Sequence, residues 1–521
     1  MVDLPSIRQR MQAVHDSQEN LTYAWRLEQL QRLRRMVKDR WPDWQHALFQ
    51  DLGKEAIEAT ACECSLLHAE IDLAISQLKH WTRPTPIPSP GVSFPARSKL
   101  KVRPKRGPAC LILGPFNYPV LLLLQPLVSS LAAGNPTVLK PSELTPHVAQ
   151  AIANAVVDYF PDSIVTTILG GVQESQQLLQ EPWGLVFFTG SERVGRIVAQ
   201  AAARTTTPTV LELGGQCPCY VDQHVGDLNL IANRIVWAKT LNAGQTCVSV
   251  DYLVVHREVA DRLLALMVQA MERQFGLDPR ASELGRIVSQ SHAQRLVQMI
   301  AQVESQCRVL YGGSDQCDPA QRYVCPTFLV NPPKDCALER EELFGPVLPI
   351  YIVGSTDEAL QVLQRRSGQP LALYVFSSLS RVVQTIAAAH PSASVLQNDC
   401  MMHLASSDFA FGGLGSSGYG AYHGKAGFDT FSHSQVWMYR PAWSGSDFAW
   451  SRYHPFGKGF KSWFVPNVLL KVPPVPVLTT SWIVRGVVLY AVFRVLPISY
   501  QRTILEYLAT TLESTADYVR P

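Results

Sequence analysis

Residues 109–140 read ACLILGPFNYPVLLLLQPLVSSLAAGNPTVLK. An apolar run from Ala109 to Leu113 is followed by a helix-like stretch, Leu121 to Ala133, and then by a second short apolar run, Thr137 to Leu139. The alternation continues with a helical stretch through Val148 to Tyr159 and short apolar runs at Val165 to Leu169 and Leu185 to Phe188. Short strands separated by helices imply a parallel sheet wrapped by helices. A second set runs from about Gly214 to Asn398. It has candidate strands at Tyr252 to His256, Phe328 to Val330 and Leu373 to Phe376, and a long polar helix through Glu258 to Gln274. The fold class expected from this pattern is α/β.

Upstream, from about Ser6 to Lys79, apolar residues such as Leu27, Leu30, Leu33 and Met36 recur at three and four positions among many Arg, Glu and Gln, which predicts amphipathic helices. Proline interrupts this pattern at Pro84, Pro86, Pro88, Pro90 and Pro95. That density excludes a helix or a central strand and predicts an extended excursion.

At 521 residues the chain exceeds the usual single domain of about 100 to 200, so at least two domains are expected. Its 17% charged residues and net charge of +3 give no argument for nucleic-acid binding. The first twenty residues have no apolar run like a secretory signal, and the eleven cysteines form no regular framework, so reducing conditions without disulfides are expected. Cys62 with Cys64 and Cys217 with Cys219 are C-x-C pairs, but neither has the two-plus-two spacing of a zinc site, so no metal is expected.

Three segments carry chemistry. Cys247 ends Asn242-Ala243-Gly244-Gln245-Thr246-Cys247, Glu212 lies in Leu211-Glu212-Leu213-Gly214-Gly215, and Asn117 lies in Gly114-Pro115-Phe116-Asn117-Tyr118-Pro119. A thiol can attack a carbonyl, a side-chain amide can stabilise the oxyanion that forms, and a carboxylate can activate the water that releases an acyl group. A neutral-pH cysteine is only a few per cent thiolate, so Cys247 needs activation by its surroundings; the alternative is a small buried core cysteine. Glu212, between Val210, Leu211 and Leu213, is expected at the end of a buried strand, where burial raises its pKa toward that of a general base; the alternative is a structural carboxylate bonded to the glycine amides after it. Gly190-Ser191-Glu192-Arg193-Val194-Gly195 is a weak signal by spacing alone. It gains weight by following the apolar run Leu185 to Phe188 and opening a helix through Ile197 to Ala203, whose first amides can meet a pyrophosphate.

These three segments, in this order and at these separations, resemble the aldehyde dehydrogenase superfamily from the N-terminal helices to about Arg440. Lys140-Pro141-Ser142-Glu143, Phe188 to Gly195 and Glu342-Leu343-Phe344-Gly345-Pro346 look like further family segments in their expected places. Leu211 to Tyr220, the short N-terminal lead, Tyr422-His423-Gly424-Lys425 and Phe428 to His433 look most like the class 3, fatty-aldehyde branch. The resemblance implies catalytic roles for Cys247, Glu212 and Asn117. It implies that Lys140 and Glu143 hold an adenine ribose, that Gly190, Ser191 and Gly195 face the pyrophosphate, and that Glu342 and Phe344 contact the nicotinamide side. A carboxylate at Glu143 would repel a 2'-phosphate, so NAD is the first expectation, with NADP possible.

The resemblance further implies a Rossmann-like NAD(P)-binding domain (1–80 and 105–213), a related α/β catalytic domain (214–398), a bridging and oligomerisation element (81–104 and 399–440) and a C-terminal extension (441–521). A homodimer is expected. Three departures stand out: Gln216 replaces the usual lysine after Leu-Glu-Leu-Gly-Gly, Val248-Ser249-Val250 follow the cysteine, and the usual Arg-Tyr-Pro-Pro ending is reduced to Arg440-Pro441. They bear on substrate preference more than on chemistry.

Beyond Arg440 come Trp443, Trp450 and Trp463, a proline-rich stretch, and Trp482 to Leu496, apolar except for Arg485 and Arg494. Fifteen helical residues span only about 23 Å, short of a hydrocarbon core of about 30 Å. An interfacial or re-entrant segment within 475–497, with snorkelling arginines, is therefore expected, placing the protein on a membrane at its cytosolic face, on endoplasmic reticulum, lipid droplet or mitochondrial outer membrane. A soluble helix packed on a partner subunit is the alternative. The expected function is NAD(P)-dependent oxidation of a medium or long-chain aliphatic aldehyde to the acid through a cysteine thioester. The rivals are oxidation of an aromatic aldehyde and a catalytically silent membrane-associated scaffold.

Overall fold

In the computed structural model, which describes residues 3–443 apart from 91, 92, 94, 95 and 367, together with Tyr453 and Gln501, the stretch 109–140 folds as strand Cys110–Leu113, helix Leu121–Ala133 and strand Thr137–Lys140. Both strands are buried at every residue, which is why they read as continuous apolar runs and do not alternate. The helix between them is buried everywhere except Leu122. Its N-terminus is closed by Glu63, whose Oε2 accepts the Val120 and Leu121 amides at 2.9 and 3.1 Å, placing a carboxylate at the positive end of the helix.

These strands are central in a six-stranded sheet ordered Gly418–Tyr419, Thr209–Leu213, Leu185–Gly190, Cys110–Leu113, Thr137–Lys140, Val165–Thr167. All pairings are parallel except the first, in which Gly418 lies opposite Glu212. A seven-stranded sheet follows: Arg308–Tyr311, Thr327–Val330, Val347–Val353, Tyr252–His256, Pro218–Val221, Ala372–Phe376, Ser394–Gln397. It is parallel except for the antiparallel edge strand Arg308–Tyr311. The α/β architecture read from the sequence is thus present, with Rossmann-like sheets flanked by helices.

The expected elements that carry the pattern are present with small shifts at their ends: Tyr252–His256 is unchanged, and the helix expected over Glu258 to Gln274 runs Arg257–Phe275. Four strands of the seven-stranded sheet escape the sequence reading. Val347–Val353 contains Pro349, which argues against an interior strand, and Pro218–Val221 begins with proline. Arg308–Tyr311 and Ser394–Gln397 are edge strands, partly exposed and without a clear apolar run. The N-terminal region is helical over Leu4–Ser17, Tyr23–Leu52, Ala56–Ala59 and Ser65–Trp81, with a wide π turn at Thr60–Cys64.

Among the described residues both sheets belong to one compact unit, which runs to Thr82 and resumes from Arg103 to His433, and Arg83–Val102 with the residues from Ser434 on belong to another. The proline-rich excursion leads into a separate three-stranded sheet, Thr85–Ile87, Arg97–Pro104 and Ser432–Tyr439 in that order. Residues 399–433, expected with the bridging element, pack with the first unit. The candidate membrane segment 475–497 lies outside the described residues, and among the described residues no helix is long and apolar enough to cross a membrane.

Candidate functional site

Parallel strands deliver their carboxyl ends to one edge of a sheet, which is where open α/β sheets bind ligands. Four adjacent strands of the six-stranded sheet do this here. Cys110–Leu113 leads into the loop with Asn117, Thr137–Lys140 ends on Lys140, Leu185–Gly190 ends on Gly190, and Thr209–Leu213 carries Glu212 one residue before its end. The arrangement places most of the candidate residues together by backbone topology alone.

Ser191 caps the helix Glu192–Arg204, its Oγ accepting the Val194 amide at 3.4 Å. Gly195 lets this helix approach the neighbouring strand: a Cβ there would lie 2.6 Å from Leu213 Cδ2. A helix N-terminus held this close to the end of a sheet is suited to a pyrophosphate. Lys140 is buried and Glu143 half exposed, with Nζ 3.6 Å from the Glu143 carboxylate and donating to the Pro141 carbonyl at 2.9 Å. Burial lowers the Lys140 pKa, and Glu143 opposes the shift. A buried cation beside a solvent-facing carboxylate offers a donor and an acceptor to vicinal hydroxyls. These residues fit a dinucleotide.

Cys247 follows the helix Leu228–Thr240 and a turn whose residues Asn242, Ala243 and Gly244 have φ of 53°, 53° and 74°. The Asn117 side-chain amide donates to the Gln245 carbonyl at 3.0 Å, and the Tyr118 hydroxyl bonds Thr246 Oγ1 at 2.8 Å. The loop after the central strand is thus tied twice to the segment that ends in Cys247. The thiol is pushed up to about 12, first by burial and then by the nearby Glu342 and Glu212 carboxylates, while the Cys247 and Val248 amides oppose the shift. Burial thus favours the neutral thiol over the thiolate.

Glu212 is 3% exposed, and neither carboxylate oxygen has a hydrogen-bond partner among the described residues. Its cross-strand neighbours are Thr189, whose hydroxyl is likewise unpartnered, and Gly418. Burial alone holds this carboxyl well above the usual range. An orphaned buried carboxyl is costly, and native proteins keep one mainly where function requires it. The alternative sequence reading, a carboxylate bonded to the glycine amides after it, is absent.

The segment 339–346 closes the other side. The Glu342 carboxylate packs on Gly214, where a Cβ would overlap it, and takes a hydrogen bond from the Gly215 amide. Burial and then Asp251 push Glu342 up to about 8. Gln216 Nε2 donates to the Glu339 and Glu341 carbonyls at 3.1 and 3.0 Å, so the residue that departs from the family pattern anchors this segment. Phe344, at φ 51°, meets Phe116 edge-on at 5.7 Å, next to Asn117.

Sequence reasoning missed the layer beneath. Lys54 and Glu63 form a fully buried ion pair at 2.5 Å, and Lys54 Nζ also donates to the Asn117 carbonyl at 3.1 Å. Lys239, fully buried with no hydrogen-bond partner for its amine among the described residues, is lowered to about 8 by burial. Asp251 accepts the Leu343 amide at 2.9 Å. Charged residues within helical or apolar stretches carry no local signature of such contacts. Among the described residues no group of three or more His, Cys, Asp or Glu is placed to hold a metal ion.

Comparison with known proteins agrees with this geometry. Residues 3–437 match the family model described as the aldehyde dehydrogenase family. The chain is 42% identical to human aldehyde dehydrogenase family 3 member B1, covering 80% of this chain and 87% of that protein. It is 38% identical to the 4,4'-diaponeurosporen-aldehyde dehydrogenase of Staphylococcus aureus, covering 82% and 92%. A solved structure of the substrate-bound state of a Staphylococcus aureus AldH superposes with a TM-score of 0.81 at 36% identity, covering 85% of this chain and 95% of that one. With a family model spanning most of its length and relatives this similar, the chain belongs to the aldehyde dehydrogenase family, an enzyme that oxidises aldehydes.

Proposed function

We propose that this enzyme oxidises a medium or long-chain aliphatic aldehyde to its acid through a thioester on Cys247, with NAD as oxidant and NADP as an alternative. The observation that carries the reading is the convergence of the Asn117 amide, the Cys247 loop and a buried Glu212 whose two oxygens have no other partner. The Cys247 sulfur bonds to the aldehyde carbon as the thiol proton passes to solvent. The oxyanion is met by the Cys247 amide and by the Asn117 side chain, a contribution of about 3 kcal/mol per donor at comparable sites. Bound nicotinamide dinucleotide supplies the hydride acceptor. Lys140 and Glu143 would hold its adenine ribose, Gly190, Ser191 and Gly195 its pyrophosphate, and Glu342 and Phe344 its nicotinamide end. Glu212 then takes a proton from the water that cleaves the carbon–sulfur bond, releasing the acid and returning the thiol.

Support for a long apolar substrate comes from the stretch Trp482 to Leu496, apolar except for Arg485 and Arg494, and one relative is named for 4,4'-diaponeurosporen-aldehyde. The same reading takes the chain as a homodimer bridged by 81–104 and 399–440, with cofactor and catalytic domains at 1–80 with 105–213 and at 214–398. It also has segment 475–497 dock at the cytosolic face of a membrane. An aromatic aldehyde is the second substrate class. NADH formation with aldehydes of two to sixteen carbons and with benzaldehyde, repeated with NADP, tests the choice. Rates that rise with chain length support the aliphatic reading, and a maximum at benzaldehyde replaces it. Cys247→Ala abolishes turnover and Glu212→Gln gives a single burst of NADH. Turnover by Cys247→Ala removes the mechanism.

A further inference from the structure

The nucleophile loop is backbone-strained, and something outside it must hold it. Asn242 and Ala243 both lie in the left-handed region, a conformation costing L residues about 1–2 kcal/mol each. An acceptor is supplied from the N-terminal helices, some 184 residues away in sequence: Glu58 Oε1 accepts the Asn242 amide at 2.9 Å. Burial raises this carboxyl, and Lys54 and the Asn242 amide oppose the shift.

The rest of the loop is tied to the same centre. Asn242 Nδ2 donates to the Asn117 carbonyl at 2.8 Å and to the Gln245 carbonyl at 3.2 Å. Gln245 Nε2 donates to the Asn242 and Arg286 carbonyls at 3.0 and 3.1 Å, and its Oε1 accepts the Val288 amide at 2.9 Å. All of these bonds except those to Arg286 and Val288 lie inside the two site loops. Glu58 is the one charged side chain among the described contacts that reaches the left-handed turn from another element. Glu58 sits on the four-residue helix Ala56–Ala59, just before the wide turn Thr60–Cys64. Wide turns of that kind recur at functional sites. The titratable groups facing Glu58 are Lys54, Glu55 and Glu63, with Cys62 and Tyr118 close by.

We infer that Glu58 is a positioning residue for Cys247: by accepting the Asn242 amide it fixes the left-handed turn that presents the thiol beside Asn117. The inference rests on Cys247 being the nucleophile and adds that its geometry is set from the N-terminal helices. Glu58 touches neither substrate nor cofactor in this account.

Purified full-length Glu58→Ala, Glu58→Gln and Cys247→Ala are compared by kcat and KM, by the rate of Cys247 alkylation with iodoacetamide read by peptide mass spectrometry, by NADH binding and by melting temperature. Glu58→Ala lowers kcat and the alkylation rate together by about tenfold or more, as expected for loss of one hydrogen bond to a charged group, while NADH affinity is unchanged. Glu58→Gln, whose amide oxygen still accepts the Asn242 amide, recovers most of both. If Glu58→Ala alkylates and turns over like the parent, or if the two variants are equally impaired, the inference is wrong. Should the alanine variant not fold, Glu58→Met against Glu58→Gln makes the same comparison, because methionine keeps the length without the acceptor. Turnover by Cys247→Ala overturns the underlying nucleophile reading instead, whatever Glu58 does.

Discussion

The side-chain amide of Asn117 is bonded to the carbonyl of Gln245 at 3.0 Å, across 128 residues of sequence and two residues before Cys247. One of its two N–H groups therefore ties the two loops together, and in the proposed mechanism the other meets the oxyanion. Asn117→Ala loses both. The expected result is a fall in kcat of about a hundredfold or more, with KM for aldehyde changed much less, because the oxyanion forms only after the ground state. Steady-state kinetics on the purified variant decides it, and a pure KM effect would remove Asn117 from the oxyanion.

A thiol at about 12 is almost wholly protonated at neutral pH. In the cofactor-free enzyme, alkylation of Cys247 is therefore expected to rise about tenfold per pH unit from 7 to 10 with no plateau, because only the thiolate reacts. Glu342 is the first charged cause of that shift and itself titrates at about 8. Glu342→Gln should speed alkylation above pH 8 and leave it unchanged below. A plateau near pH 8 in the parent enzyme would show a thiol already activated.

Glu342 also links pH to stability. Its folded pKa, about 8, lies above the ordinary 4.5, so the folded state binds the proton more tightly than the unfolded chain. That contribution is complete below about 4.5 and is lost as pH rises to about 8. Melting temperatures of Glu342→Gln between pH 5 and 8 should fall less steeply than those of the parent, and equal slopes would show that Glu342 does not titrate in this window.

Lys54 and Glu63 are both fully buried, so breaking one partner leaves an uncompensated charge. Lys54→Met is expected to cost about 3–5 kcal/mol by urea denaturation, and Lys54→Met with Glu63→Gln to recover part of it. Full recovery is not expected, since Glu63 also accepts the Val120 and Leu121 amides. A single variant as stable as the parent would show that the pair is dispensable.

The membrane reading is tested by alkaline washing of membranes carrying the full chain or a chain ending at Ser462. Retention of the full chain alone supports docking through 475–497, and equal retention removes it.

The parallel strands were legible in the sequence because burial on both faces leaves uninterrupted apolar runs such as Cys110–Leu113 and Tyr252–His256. Val347–Val353 was not, because Pro349 mimics a break. The candidate site was legible where chemistry demands an unusual residue in a recognisable setting, as at Glu212 and Cys247. Lys54, Glu58 and Glu63 were invisible for the opposite reason: they lie in a helical stretch rich in charge, where burial of one glutamate among several depends on contacts made more than fifty residues away. The Gln216 departure was visible, but its two carbonyl contacts were not.

Gly418 pairs with Glu212 across roughly 200 intervening residues, and this sets a schedule for the enzyme's appearance. During synthesis at about 5–20 residues per second, the strand bearing Glu212 waits on the order of 10–40 s for its edge partner. A nascent chain, or one cut short before the late glycine-rich segment, holds the Glu212 carboxyl without the strand that completes its sheet. The edge of the sheet that carries Glu212 is thus complete only when nearly the whole chain has left the ribosome.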